Sequence, residues 1–373
     1  MQRKNLGVAI GLLLASSVAW AQSAASGDGV VIYGSVDAGV SNFNDERGAH
    51  SNKLDTGNRS PDRFGFRGSE DLGGGMRAFF QLENGFNLDD GTIKRTGVLF
   101  SRYALVGIGT KAGTLSLGHM PDFLYEYLRF TSNGFLGSAY FFHPGNLDNQ
   151  ANQFQLDNAV KYETPTFGGF TLGAMNGFGE QPDDFNRARS YSLGARYVGA
   201  NLRAAAAYTV SNNRAINLGA TLGINSLLGQ TLSRNVAAVD ATYTNFAADK
   251  VTSSGITAAY KVGTVTPHAM LTQIKLDARG RSATQRNLEA GADIALGAAN
   301  VLGVSAATSR LENARWHQFN VIDQIKLSAR STLYAAAAYQ RASGAGVQAV
   351  INSAAPASGQ SQRVLRIGVH HLF

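Results

Sequence analysis

Seven histidines, His50, His119, His143, His268, His317, His370 and His371, are the first place to look for acid–base or metal chemistry in this 373-residue chain. None falls into H-E-x-x-H or another ligand spacing, and His370 and His371, adjacent on what reads as a strand, point to opposite faces. No metal and no cofactor is expected. The chain has no cysteine, which excludes thiolate zinc sites, iron–sulfur clusters and thiol nucleophiles. A serine hydrolase needs Ser, His and an orienting Asp or Asn in convergence, and the G-x-S-x-G elbow is absent. The stretch Gly107-Ile108-Gly109-Thr110-Lys111-Ala112-Gly113 lacks the G-x-G-x-x-G spacing and no helix follows, so it reads as a hairpin turn and not a phosphate cradle. No catalytic residue is expected.

Charge is the remaining chemistry. Lys and Arg number 33 against 26 Asp and Glu, a formal net charge of +7. A nucleic-acid surface would gather them into a run or a helical stripe. Here they are scattered singly, and no nucleic-acid partner is expected. Charged residues make up only 16% of the chain, and glycines number 43; against averages of roughly 25% charged and 7% Gly, this is a composition of strands and turns.

The chain opens with an address. Arg3 and Lys4 precede an apolar core from Leu6 to Leu14, and Ala19-Trp20-Ala21 supplies a small-x-small cleavage signature before Gln22. That core is shorter than the ~20 residues a membrane helix needs. Residues 1–21 therefore read as a cleaved signal peptide and 22–373 as the mature chain. Beyond residue 21 no run of 18 apolar residues occurs, so the mature chain is either soluble or a barrel.

Period-two alternation positions the charges. Val30, Ile32, Gly34, Val36, Ala38 and Val40 alternate with Val31, Tyr33, Ser35, Asp37 and Gly39. In Arg63-Phe64-Gly65-Phe66-Arg67 the arginines share a face with Gly65 and the phenylalanines take the other. A turn over 68–75 leads into Met76, Ala78, Phe80 and Leu82, opposed by Arg77, Phe79, Gln81 and Glu83. The segment Ser101 to Ile108, with Tyr103 and Leu105 opposing Arg102 and Ala104, turns through 109–113 into Thr114 to Leu117. Further dyad segments are 159–162, 192–197, 202–208, 236–243, 333–339 and 364–373. Alanine runs in 202–208 and 333–339 favour helix by propensity. Each is short, ends in tyrosine and is flanked by turn residues, so strand is preferred.

Such strands fit a soluble sandwich with the apolar face inward, or a transmembrane barrel with it outward. Length favours the barrel. Sixteen strands of about ten residues with alternating short and long connections need on the order of 350 residues, and 373 less 21 leaves 352. Connections are tight at 68–75 and 109–113 but long at 119–157 and 210–234, the asymmetry of outer-membrane barrels. The expected fold is all-β, a 16-stranded antiparallel transmembrane β-barrel.

The carrying motifs are Ile32-Tyr33-Gly34-Ser35-Val36-Asp37-Ala38-Gly39, then Arg63 through Gly75 running into Phe80-Gln81-Leu82-Glu83, and Asn158-Ala159-Val160-Lys161-Tyr162 with Phe167-Gly168-Gly169-Phe170. Tyr334 through Tyr339-Gln340-Arg341-Ala342-Ser343-Gly344 and the terminal His371-Leu372-Phe373 complete them. With these the sequence resembles the Gram-negative general (non-specific) porins, most closely their beta-proteobacterial branch; residues 210–320 match least well. The resemblance implies a homotrimer in the outer membrane among lipids and lipopolysaccharide, inserted by the barrel-assembly machinery with Phe373 as assembly signal. It implies passive passage of small hydrophilic solutes and ions, and a third outer loop, here about 119–157, folded inward as a constriction.

Wall arginines facing that loop match as Arg63 and Arg102, both read as opposite aromatic residues and so towards water. Arg67, Arg77 and Lys161 share inward parity, as do Arg203 and Arg366. On the loop side stand His119, Asp122, Glu126, Arg129 and Gln155. The resemblance would place a basic residue at His119 and an arginine at Gln155, so only a mild anion preference is expected. The aromatic-rich stretch Phe123, Tyr125, Tyr127, Phe130, Phe135, Tyr140, Phe141 and Phe142 leaves a substrate-specific channel for sugar or phosphate as an alternative, although packing of loop on wall explains it equally. A barrel enzyme is the remaining alternative.

Overall fold

A computed structural model describes residues 29–373. The expected signal peptide, 1–21, and its cleavage site lie outside the described residues.

The strands are β1 (Gly29–Glu46), β2 (Ala49–Thr56), β3 (Arg63–Gly73), β4 (Met76–Gly85), β5 (Tyr103–Thr110), β6 (Gly113–Pro121), β7 (Gln155–Glu163), β8 (Phe170–Gly177), β9 (Ser190–Val198) and β10 (Leu202–Ile216). A two-residue hairpin, β11 (Ser226–Leu227) and β12 (Gln230–Thr231), stands apart. Then come β13 (Phe246–Tyr260), β14 (Val265–Ala278), β15 (Arg281–Ala295), β16 (Asn300–Leu311), β17 (Ala314–Lys326), β18 (Ser331–Ser343) and β19 (Ser361–Leu372). Every neighbour is antiparallel, and β19 pairs back onto β1, from Ser35 opposite Leu372 to Phe43 opposite Val364, which closes the sheet. Closure removes both edges, the requirement for a sheet in lipid. The other edge of β1 pairs with β2 in its upper part and β3 in its lower part. β2 and β3 are thus halves of one stave interrupted by residues 57–62, and the barrel has sixteen staves.

One end carries short turns, such as Lys111-Ala112 between β5 and β6; the other carries eight outer connections, L1 to L8 in chain order, with L3 at 122–154, L5 at 217–245 and L8 at 344–360. The long connections are therefore narrower than, or displaced from, the 119–157 and 210–234 expected. The turn expected over 68–75 shrinks to Gly74-Gly75 because β3 runs on to Gly73. Left-handed backbone at Gly73, Gly74 and Gly75 makes that tight reversal possible.

Alternation carries the apolar residues outward, as in Ile32, Val106, Leu117 and Ile367, all well exposed. On β13–β18 the pattern changes sign near the outer end. There Ile274, Leu276, Trp316 and Ala342 point inward and are buried with Leu218, Leu222 and Leu232 of L5 and Val347 and Ala349 of L8. L5 and L8 thus build a water-excluding core inside the outer mouth, confining open space to the opposite wall. The strand expected at 236–243 is irregular backbone of L5, with Val236 buried.

Candidate functional site

L3 leaves β6 and follows the inner wall. Its first turns, Leu124–Leu128 and Arg129–Thr131, lie against β9, β10 and β13, and a helical turn at Asn133–Leu136 reaches β15. Polar staples fix it at intervals. Asp122 Oδ2 accepts from Thr209 Oγ1 at 2.9 Å, and the Phe123 N–H donates to Ser192 Oγ at 3.1 Å. The Asn133 N–H donates to Glu289 Oε1 at 3.0 Å, and Gln318 Nε2 to the Tyr140 carbonyl at 2.8 Å. Opposed glycines make the seat: Gly173 and Gly194 are cross-strand partners, and a Cβ at Gly194 would lie 2.7 Å from Phe123 Cβ. Phe123, Tyr127, Tyr140 and Phe141 are buried against the wall, so packing accounts for these members of the aromatic stretch. Phe130, Phe135 and Tyr125 border the open cavity.

A latch sits near the tip of L3. His143 Nδ1 lies 2.6 Å from Asp148 Oδ2 and its Nε2 3.3 Å from Glu289 Oε2, with Thr272 Oγ1 donating to Asp148 at 2.8 Å. Burial opposes the imidazolium, but the two carboxylates outweigh it and push His143 up to about 10. A raised cationic group stabilises fully below its ordinary 6.5 and loses that contribution as pH rises through about 10. Open-channel current should stay quiet through neutral pH and become noisy above about 10, and a His143→Phe barrel should be noisy at neutral pH already. Quiet traces from both proteins across that range would remove His143 from the latch.

Between L3 and chiefly the β1–β7 wall runs a cavity of 1180 Å³. Twelve Lys and Arg against seven Asp and Glu line it, a surplus of five positive charges. Arg102 Nε pairs with Glu83 Oε1 at 2.6 Å, and the same carboxylate receives Tyr33 Oη at 2.9 Å and stands 3.7 Å from Arg63 Nε. Arg63 also donates to Ser60 Oγ at 2.8 Å. Across the gap the Arg129 guanidinium lies over the Tyr125 ring at 4.1 Å and the Phe130 ring at 4.6 Å, a cation–π stacking, with the Glu126 carboxylate close enough to interact with its charge. Lys161 Nζ is held by Glu126 Oε2 at 2.8 Å and Glu163 Oε2 at 3.3 Å.

Arg63, Arg67, Arg77, Arg102, Glu126, Arg129, Gln155 and Lys161 all border this cavity. Six expectations need correction. Tyr103 faces inward opposite Glu83, and Arg102 reaches the lumen because it precedes β5, where strand parity does not apply. His119 belongs to β6 and not to L3. It stands opposite Ala104, on the face of Val106 and Ile108, and pairs with the exposed Asp157 on the outer surface. Gly118, at positive φ beside a bulge, precedes that outward turn. Asp122 is buried and does not face the passage; burial pushes it up to about 6 against its three hydrogen bonds. Gln155 opens β7 and binds the Asn152 carbonyl at 2.8 Å. Arg203 is not among the cavity-lining residues, and Arg366 is sealed in an ion pair with Asp37 at 3.0 Å.

Sequence reading missed Arg59 and Arg196. Arg59 projects from the 57–62 interruption and donates to Gln324 Oε1 on β17 at 2.5 Å; Arg196 lies over the Tyr127 ring at 4.8 Å. The signal for Arg59 was the turn composition Gly57-Asn58-Arg59-Ser60-Pro61 between two strands.

A closed barrel with lipid-facing apolar residues, an inward loop and a charged passage is a membrane channel. The profile of the Gram-negative porins matches residues 8–345. The chain belongs to that family, and it is an outer-membrane protein and a passive channel, not an enzyme. Among its relatives, an outer membrane porin protein of Bordetella pertussis is 32% identical over 54% of this chain and 59% of its own length. The chain thus spans less than two thirds of that relative. Outer membrane porin protein 32 of Delftia acidovorans is 29% identical over the full length of both. In structure, an anion-selective porin from Comamonas acidovorans superposes with a TM-score of 0.74 at 24% identity, over 93% of this chain and 100% of its own. OmpT of Vibrio cholerae, in a trimer form, gives 0.67 at 15%, over 93% and 100%.

Proposed function

We propose that the chain forms a homotrimer of water-filled pores for small hydrophilic solutes, with a mild preference for anions. The observation that carries the preference is the surplus of five cationic side chains around the 1180 Å³ passage. Fixed charge in a narrow, low-dielectric channel concentrates the opposite ion. Arg63, Arg102 and Arg129 set the preference at the constriction, Arg67 and Arg77 extend it along the wall, and Lys161 is largely offset by Glu126 and Glu163. Support for the trimer comes from the trimeric form of the Vibrio cholerae OmpT. In planar bilayers, currents should be ohmic and close in three equal steps; single-step closure would contradict the trimer, and strong block by one neutral sugar would favour a substrate-specific channel.

Residues 1–21 act as a cleaved leader in this reading, and Phe373 as the signal read by the barrel-assembly machinery. The Phe373 N–H donates to the Gly34 carbonyl at 3.1 Å, and its own carbonyl accepts from Gly34 at 3.0 Å, so it is also the last residue of the seam. The mature protein should begin at Gln22 on N-terminal sequencing; any other start contradicts the cleavage site.

A further inference from the structure

The aromatic residues of L3 divide into two groups, and packing explains only one of them. Phe123, Tyr127, Tyr140 and Phe141 are buried against the wall, whereas Phe130 and Phe135 stay half-buried and border the open cavity, with Leu136 beside them. Leaving apolar rings at a water-filled passage forfeits transfer energy that full burial would supply. The two rings meet edge to face, their centroids 5.3 Å apart and their planes at 79°. They form an angled aromatic ledge on the inner side of the passage.

Cationic groups bracket this ledge. The Arg129 guanidinium lies 4.6 Å from the Phe130 centroid and 5.4 Å from that of Phe135, and its Nε is buried without a hydrogen-bond partner. Arg59 Nη1 donates to the Phe135 carbonyl at 3.3 Å. Arg102 Nη2 reaches Tyr125 Oη at 3.3 Å, the same ring over which Arg129 lies. Among the described residues neither Arg59 nor Arg129 has a carboxylate at ion-pair distance; Glu126 acts on Arg129, and Asp293 on Arg59, from further away. Guanidinium groups grip a carboxylate through paired N–H bonds, and aromatic rings favour one another beyond the area they bury. A solute that uses both surfaces at once carries a carboxylate on a flat apolar ring. Chloride uses only the first.

We infer that Arg59 and Arg129, with the rings of Phe130 and Phe135 between them, form a transit site for aromatic carboxylates. This rests on the anion-passage reading and names a solute class that reading leaves open. Conduction requires that a solute bind well enough to enter and weakly enough to leave, so the site should show as raised permeability. Bi-ionic potentials against chloride should be measured in planar bilayers for the potassium salts of benzoic and cyclohexanecarboxylic acid. The two anions share charge and nearly share size, so a charged sieve passes them alike. The wild-type channel should pass benzoate about fivefold better, the range expected of an aromatic contact being roughly two- to tenfold. The variant Phe130→Leu/Phe135→Leu keeps the apolar bulk, loses the rings, and should bring the ratio below about twofold. Tyrosine at both positions should preserve the preference. Because both anions are compared in one channel, a change of pore width moves them together and leaves the ratio. A wild-type ratio below about twofold, or a benzoate preference that survives in the leucine variant, would overturn the assignment. Should the leucine variant fail to assemble, the wild-type ratio decides alone. The wild-type potential in a potassium chloride gradient separates the two failures: a potassium-side potential defeats the anion reading itself, and a chloride-side potential without benzoate preference defeats only the transit site.

Discussion

Replacing Arg63 and Arg102 with glutamate should move the reversal potential in a salt gradient well towards the cation side. The two changes remove two positive charges and add two negative ones, lowering the lining surplus from five to one. The effect should be largest in dilute salt, where the screening length is ~10 Å at 0.1 M, and small at 1 M, where it is about 3 Å. The structure adds a consequence for yield. Glu83 is almost wholly buried and holds Arg102 at 2.6 Å, so the double variant strands a buried carboxylate beside two new ones. Breaking a buried pair by removing one partner costs about 3–5 kcal/mol. Less folded protein is therefore expected from the double variant, and adding Glu83→Gln should restore the yield while keeping the altered selectivity. Unchanged reversal potential in the triple variant would show that these side chains do not govern ion passage.

The second large effect concerns stability without selectivity. Arg366 and Asp37 are fully buried, 3.0 Å apart, with Arg366 Nε donating to Tyr334 Oη at 2.6 Å and Tyr334 Oη to Asp37 Oδ1 at 3.0 Å. Asp55 completes the cage through Arg366 Nη1. The network ties β1, β18 and β19 together at the seam where the sheet closes. Arg366→Met should lower the thermal midpoint of the barrel by an amount corresponding to about 3–5 kcal/mol, because Asp37 is left charged and buried. An Arg366→Met/Asp37→Leu barrel should recover much of that loss, since apolar replacement of a whole buried pair is often neutral. The reversal potential should not move in either. A shift in selectivity would mean that Arg366 faces the passage after all.

How far the sequence discloses this architecture depends on where its alternation stays simple. β1 and β3 to β6 are readable because Ile32, Phe64, Phe66, Val106 and Leu117 meet lipid while Tyr33, Arg63, Arg67 and Ser116 meet the lumen. The strands from Phe246 to Lys326 hide because their upper ends invert the rule: Ile274 and Leu276 face a core supplied by L5 and L8 while Lys275 faces outward. A segment such as 236–243 has strand-like composition yet folds as part of that plug, since only tertiary packing decides its conformation. The passage residues were legible where strand parity held, as for Arg67, Arg77 and Lys161. Arg102 reached the lumen for a different reason than parity. His119 was misplaced because β6 continues through Gly118 to Pro121, carrying its imidazole outside. Arg59 escaped because an interrupted stave leaves no mark in the pattern beyond a turn.

The most direct test is the zero-current potential of wild-type channels separating dilute and concentrated potassium chloride, repeated at several mean salt concentrations. The cationic surplus around the passage predicts a potential on the chloride side that shrinks as salt rises and screening shortens the reach of Arg63, Arg102 and Arg129. A potential on the potassium side, or one indifferent to salt concentration, would contradict it.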